Sequence, residues 1–324
     1  MQVLPSYQRL TYSGLEPSQA FDVVYGSHFE HRLLSARRAN MDHQRLVLDP
    51  LRLETGSYDF PVIARGVMPR GVVCIGMMAG GIETTHYNTS AIGEDEIQIY
   101  PSGAELLYHA TDGSRWINFT VPEDSLQEAA IAQVGHPLEL PRHDAVSVRL
   151  AQGGRSALIR MADDALGLAR TSGSRGLSAV LGEEIASGLV AGYVRALCGA
   201  RPSNSGRRQD TTSFHLHLVL ACERLATPDR GFELDVDDIA KRSGYSRRSL
   251  ELIFKKSVGV PPARWFMNLR LNGALRDLLA AEPGCRVADV AAKWGFRHPP
   301  RFADYYRRAF GELPSRTLAQ ALSR

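Results

Sequence analysis

One short pattern occurs twice in the last third of this chain. Val236, Ala240, Gly244 and Tyr245 of the first copy fall in register with Val287, Ala291, Gly295 and Phe296 of the second. Leu250 then matches Phe302 once one extra residue is allowed in the second turn. A short helix, a glycine turn and a second helix with one apolar face make the unit that sets a helix in the major groove of DNA. The repeat commits this region to an all-α arrangement, and two copies would let one chain read two groove segments.

Each copy carries its own local signals. In the first, Asp235 is placed to cap the opening helix, with Asp237 and Asp238 in its positive first turn. Ile239 and Ala240 point inward. Gly244 supplies a left-handed turn, and Ser246 caps the next helix. On that helix Leu250, Ile253 and Phe254 form the buried stripe. The other face carries Arg247, Arg248 and Glu251, side chains able to bond guanine and cytosine edges. Lys255 and Lys256 lie beyond the base-reading turn and suit phosphate. Pro261-Pro262 starts a long apolar helix containing Trp265, Leu269, Leu275 and Leu278, which would set the separation of the units. In the second unit the expected base-contacting residues are Arg297, His298 and Arg301, with Arg307 and Arg308 on phosphate. Pro299 and Pro300 fit only at the very start of a helix, where their missing N–H groups are not needed.

Charge divides the chain in the same place. Residues 201–324 hold 22 Lys and Arg against 13 Asp and Glu, a net +9, whereas the whole chain is only +3. The basic part suits a polyanion, and the acidic remainder points to a different task. Gly199–Asp210, rich in Gly, Pro, Ser and Asn without apolar periodicity, reads as a linker. Upstream of it, 15–25 reads as a short helix with Pro17 in its first turn. Residues 48–121 read as short strands (62–64, 72–75, 97–100, 116–121) suited to a sandwich or barrel. Helices are expected from Pro122, near 154–170 and near 176–198. The stripe of the last (Leu177, Val180, Leu181, Glu184, Ile185, Leu189, Tyr193, Val194 and Leu197) suits core packing or an antiparallel dimer helix.

The C-terminal residues resemble the AraC-type family of bacterial transcription regulators. The resemblance covers about 212–320 and rests on Ile239-Ala240, Gly244-Tyr-Ser, Leu250, Phe254-Lys255, Gly259, Pro262, Arg270-Leu271, Ala274, Ala291, Gly295-Phe296, Phe302, Phe310-Gly311 and Pro314-Ser315. Through Ser246-Arg-Arg, Trp294-Gly-Phe-x-His298 and Pro314-Ser-x-Thr317-Leu318 it looks closest to the ethanolamine-operon activators. Pro300 and Asp304 depart from the family, which mostly has a polar residue and an arginine there, so the second helix is expected to lean on phosphate and DNA shape. The resemblance implies an N-terminal effector-binding and dimerisation domain, often a cupin-like barrel. The expected fold is therefore α+β. A β-rich, cupin-like domain with flanking helices spans 1–200, a linker 201–211, and an all-α domain with two helix-turn-helix units joined by a long helix 212–324.

Other chemistries find little footing. His86, His109 and His136 are dispersed in sequence, and His215 and His217 sit two apart on an expected helix, so no metal is expected. Gly71 and Gly80-Gly81 lack a nucleotide-binding pattern, so no cofactor is expected. Cys74, Cys198, Cys222 and Cys285 show no paired spacing and read as reduced thiols of a cytoplasmic protein. There is no apolar run of about 20 residues and no signal-like start, so no membrane partner is expected. The expected function is a ligand-responsive transcription activator with no enzyme activity, partnered by double-stranded DNA, RNA polymerase, a small-molecule effector of unknown pocket and a second copy of itself. An architectural DNA-binding protein without effector, and a cupin enzyme fused to a DNA-binding domain, are the alternatives.

Overall fold

The computed structural model describes residues 4–34, 39–172, 176–203, 206–226 and 236–323. The N-terminal part is two antiparallel sheets face to face. The larger has the order β1 (Ser6–Ser13), β3 (Asn40–Leu48), β4 (Leu51–Tyr58), β11 (Ser114–Val121), β6 (Val73–Gly80), β9 (Glu96–Tyr100), β12 (Val146–Arg149) and β13 (Arg201–Pro202). The smaller runs β2 (Phe29–Leu33), β5 (Val62–Val67), β10 (Glu105–Ala110), β7 (Thr85–Tyr87) and β8 (Ser90–Ala91).

The period of two along each strand sorts side chains into layers. Between the sheets lie Phe29, Leu33, Ala64 and Tyr108 of the small sheet, opposite Met41, Tyr58, Tyr100 and Trp116 of the large one. Gly56 makes room for this layer, since a Cβ there would come within 2.5 Å of the Trp116 ring. On its other face the large sheet presents Leu53, Ile75, Ile97, Ile99 and Phe119 to α1 (Glu123–Val134), α2 (Gly154–Thr171) and α3 (Ala179–Cys198). Most of the α3 stripe is therefore core packing, whereas Val180, expected in it, is 67% exposed. Leu189, Tyr193, Val194 and Leu197 are buried, and Tyr193 stacks on Phe119 with ring centroids 4.3 Å apart. Each such side chain contributes about 1.5–3 kcal/mol by leaving water.

The outer face of the small sheet is covered by the C-terminal helices. Ile63 and Leu107 share a core with α4 (Gly206–Leu225), α5 (Val236–Ser243), α6 (Arg247–Val258) and α7 (Pro262–Leu279). The contact is also polar. The buried Glu223 carboxylate of α4 accepts hydrogen bonds from both Nη atoms of Arg32, from Arg65 Nη1 at 2.9 Å and from the Trp265 indole N–H at 2.6 Å. Glu30 accepts from Arg32 Nε at 2.8 Å and is paired with Arg276 of α7 at 2.9 Å. Asn272 of α7 binds the backbone of Leu33 twice, accepting at 2.7 Å and donating at 3.0 Å. Its amide thus caps the open edge of β2 as a neighbouring strand would.

Several expectations need revision. Residues 15–25 hold only a 3-10 turn, Glu16–Gln19: Pro17 sits in its first turn, where no helical donor is lost, and the chain leaves helical geometry at Ala20, whose ψ is 71°. Strands begin at Ser6 rather than 48. β3 alternates in burial, but buried His43 and Arg45 hide the pattern. Of the linker, Arg201–Pro202 pairs with β12, and α4 begins at Gly206, so 206–211 are helical. The four cysteines are unpaired, with Cys74 and Cys222 buried. No helix among the described residues is long and apolar enough to cross a membrane.

Candidate nucleic-acid interface

The first unit is α5, a turn and α6. Ile239 and Ala240 are buried, and Gly244 has φ +76°, a left-handed turn that glycine adopts without strain. The turn closes with Tyr245 N–H donating to Ala240 O at 3.0 Å. Ser246 caps α6, its hydroxyl accepting from Ser249 N–H at 3.1 Å. Asp235, the expected cap of α5, lies outside the described residues. Leu250, Phe254 and Val258 bury one face of α6.

The opposite face is open. Arg247, Arg248, Glu251, Lys255 and Lys256 are all exposed. Arg247 is tied within the protein, to Glu251 and to Asp237 at 3.0 Å each. Exposed pairs of this kind are screened by water and contribute little, so a base edge or phosphate can displace either partner. Arg248 makes no hydrogen bond or ion pair with any described residue and stands on the first turn of α6. Sequence reasoning passed over Leu252, which is 62% exposed. Arg248, Glu251, Leu252 and Lys255 follow the i, i+3, i+4, i+7 spacing of a single helical stripe. The available signal was that Leu252 falls off the stripe of Leu250 and Phe254.

The second unit is α8 (Val287–Lys293), a turn and α9 (Pro299–Phe310). Gly295 has φ +73°, and Phe296 N–H donates to Ala291 O at 2.9 Å, repeating the first turn. Pro299 and Pro300 occupy the first helical positions, where their spacing placed them. Phe302, Tyr306 and Phe310 are buried. Arg297, His298, Arg301, Arg307 and Arg308 are exposed. Asp304 is salt-bridged to Arg307 at 3.1 Å and to Arg308 at 2.9 Å, which lowers the net positive field of this face. α10 (Pro314–Leu322) braces the unit, with the Tyr306 hydroxyl donating to Thr317 at 3.0 Å.

Between the units runs α7, of 18 residues and hence about 27 Å long. The second unit is keyed to α7 at Gly273, where a Cβ would sit 2.0 Å from the Trp294 ring. The Trp294 indole N–H donates to Asp277 at 2.7 Å, and Arg270 lies over the Phe296 ring at 5.4 Å.

Comparison with known proteins agrees with this geometry. Residues 239–320 match the model of the helix-turn-helix domain family. They form a helix-turn-helix domain. Among curated relatives, a probable thc operon regulatory protein of Rhodococcus erythropolis is 41% identical over 86 residues, 26% of this chain and 26% of its own length. The XylDLEGF operon transcriptional activator of Pseudomonas putida is 30% identical over 139 residues, 43% of this chain and 42% of its own. The chain thus spans about a quarter to two fifths of these relatives. A solved transcriptional regulator of Chromobacterium violaceum, with an AraC-type DNA-binding domain, is 28% identical, covering 35% of this chain and 96% of that one at a TM-score of 0.30. The two curated relatives are a probable regulator of the thc operon and an activator of the XylDLEGF operon, and the ethanolamine-operon branch is not shown.

The histidines also regroup. His86 and His109, far apart in sequence, pair across β7 and β10 with ring centroids 6.2 Å apart, and His109 meets Trp265 edge-on. No group of three or more metal-ligating side chains occurs among the described residues.

Proposed function

We propose that this chain is a sequence-specific DNA-binding transcription regulator of the AraC type, most simply an activator of a neighbouring catabolic operon. One observation carries the reading: α6 presents Arg248, Glu251, Leu252 and Lys255 as one open stripe on a capped helix within a helix-turn-helix domain. Arg248 and Glu251 pair with base edges, Leu252 packs against a thymine methyl, and Lys255 and Lys256 hold phosphate. In the second unit Arg297, His298 and Arg301 face the bases, and Arg307 and Arg308 the backbone. Residues 1–200 bind a small effector and a second copy of the chain, 201–211 connect, and 212–324 bind DNA and meet RNA polymerase in the cytoplasm. The effector acts by binding one arrangement of the two parts better than another.

Selection of bound sequences from a random DNA pool by the purified full-length chain tests this. A defined motif is expected. Equal retention of all sequences at fixed salt would overturn it in favour of an architectural, non-selective role.

A further inference from the structure

Gln98 and Tyr100 lie on the face of β9 that looks between the two sheets, while Ile97 and Ile99 on its other face pack towards α1–α3. Gln98 is 3% exposed and Tyr100 1%, yet neither amide atom of Gln98 nor the Tyr100 hydroxyl has a hydrogen-bond partner among the described residues. Asn118 Oδ1, on β11, is buried and unpartnered in the same way. Buried polar atoms are nearly always paired, so the orphaned amide of Gln98 and hydroxyl of Tyr100 beside one space mark a place for a partner molecule. That space exists. A cavity of about 250 Å³ is walled by Gln98, Tyr87 and Tyr100, by residues 143–147 ahead of and within β12, and by Leu216 and His217 of α4. A smaller apolar recess shares Tyr87 and Tyr100 and reaches Asn118.

The lining fixes the ligand class. No Lys or Arg lines the cavity among the described residues, and its ionisable groups besides the phenols of Tyr87 and Tyr100 are His143, His217, Glu105 and Asp144. A carboxylate or phosphate would leave water for a wall that, among the described residues, offers it two carboxylates and no guanidinium or ammonium. A cation would compete for Glu105 with Arg65, 4.0 Å away. A hydrocarbon would leave the Gln98 amide unpaired. An amide side chain offers two donors and an acceptor together, and its complement is another neutral group that does the same. The volume is that of roughly eight waters, enough for a single ring with one polar substituent.

We propose that this cavity binds an uncharged organic molecule bearing both a hydrogen-bond donor and an acceptor, of the carboxamide or alcohol class, held by Gln98 and Tyr100 with α4 as one wall. This rests on the reading of residues 1–200 as effector-binding. It goes beyond that reading by excluding ions and by placing the occupant against a helix of the DNA-binding part.

The test is thermal unfolding of the full-length chain with benzamide, benzoate and benzylamine at equal millimolar concentration, three probes of one shape that differ in charge. Benzamide is expected to raise the midpoint saturably, and the two ions to leave it unchanged. Gln98→Leu is expected to abolish the benzamide shift while raising the ligand-free midpoint, because an orphaned amide is gone. Tyr100→Phe, which removes one hydroxyl only, is expected to weaken benzamide several-fold should Gln98→Leu fail to fold. A shift from benzoate or benzylamine as large as that from benzamide, an undiminished shift in the folded variants, or no shift from any probe would overturn the proposal. DNA selection on the same preparation separates the two readings. A chain that selects a motif but ignores benzamide refutes the ligand class alone, and one that binds benzamide but selects no motif refutes the regulator.

Discussion

Replacing Glu223 by alanine should uncouple the helix-turn-helix domain from the sheets at a large cost in stability. The carboxylate is fully buried and accepts four bonds: two from Arg32, one from Arg65 and one from the Trp265 indole. Arg32 is itself only 1% exposed and would keep Glu30 as its one remaining anion among the described residues. Removing one member of a buried ion pair costs about 3–5 kcal/mol, and an indole N–H left without an acceptor adds about 1 kcal/mol or more. The expected loss is therefore about 4–6 kcal/mol. With a urea m-value of about 3 kcal/mol/M, that moves the midpoint down by roughly 1.3–2 M. Tryptophan fluorescence and far-ultraviolet circular dichroism should be followed together, because separate transitions would reveal that the two parts have come to unfold independently. The double variant Arg32→Met, Glu223→Leu replaces charge by apolar volume and should recover much of the loss, since a matched hydrophobic pair is often as stable as a buried ion pair. A Glu223→Ala midpoint within about 0.3 M of the parent, equivalent to about 1 kcal/mol, would refute the assignment of the network as the tie between layers.

Three further outcomes follow from the same geometry. Arg248→Ala should cost about 1–3 kcal/mol on the selected site and relax preference at one base pair, whereas Lys255→Ala should weaken all DNA alike and lower the salt slope by about one; identical behaviour of the two in a salt-titrated binding assay would sink the division into base and phosphate contacts. Gly273→Ala gains about 1 kcal/mol of helix propensity but forces a Cβ within 2.0 Å of the Trp294 ring, and overpacking of about 1–3 kcal/mol or more should win; a rise in melting temperature would contradict it. Burial lowers the pKa of His31, His43 and His109 to about 4 each. Neutral in the fold and protonated when unfolded, they leave stability intact above pH 6.5 and erode it as pH falls towards 4. Glu54, raised to about 7 by burial against the opposing pull of Arg45, works the other way between pH 7 and 4.5. Three imidazoles against one carboxyl leave a net loss on the order of 5 kcal/mol, and a urea midpoint that stays flat from pH 7 to 5 would disprove this.

What could be read in the sequence was what local chemistry dictates. Gly244 and Gly295, Ser246, and the prolines at 299 and 300 each have one physical use, and each sits where that use requires. The apolar period of α3 and the short runs of β6, β9 and β11 announce themselves because their buried faces are plain hydrocarbon. The rest depends on partners distant in the chain. β3 hides its alternation because His43 and Arg45 point inward, tolerable only because Val23 O meets the imidazole at 3.0 Å and Glu54 and Asp22 meet the guanidinium. The Glu223 network joins residues 191 positions apart in sequence, and β2 reads as polar until Glu223 and Asn272 arrive to satisfy it. On α6, charge alone was visible. That Arg247 is tied to Asp237 while Arg248 stands clear required the turn that brings α5 and α6 together.

The two helix-turn-helix units share a backbone but not a reading surface. Matching Leu250 to Phe302 sets Arg248, Leu252 and Lys255 of α6 against Pro300, Asp304 and Arg307 of α9. Where the first helix offers a free guanidinium, the second offers a pyrrolidine ring with no donor. Where the first offers an exposed leucine, the second has a carboxylate that engages both Arg307 and Arg308. A carboxylate beside the DNA backbone is repelled, and the arginines it holds give up part of their attraction for phosphate. The paired arginines are exposed, so their self-contacts are worth only about 0–1 kcal/mol each and yield to a phosphate that can be reached. On the proposed reading the second unit grips without strong discrimination, with Arg297, His298 and Arg301 at the helix start as its remaining reach towards base edges. On that reading specificity rests on α6, while the close packing of Trp294 against Gly273 fixes the second unit on α7.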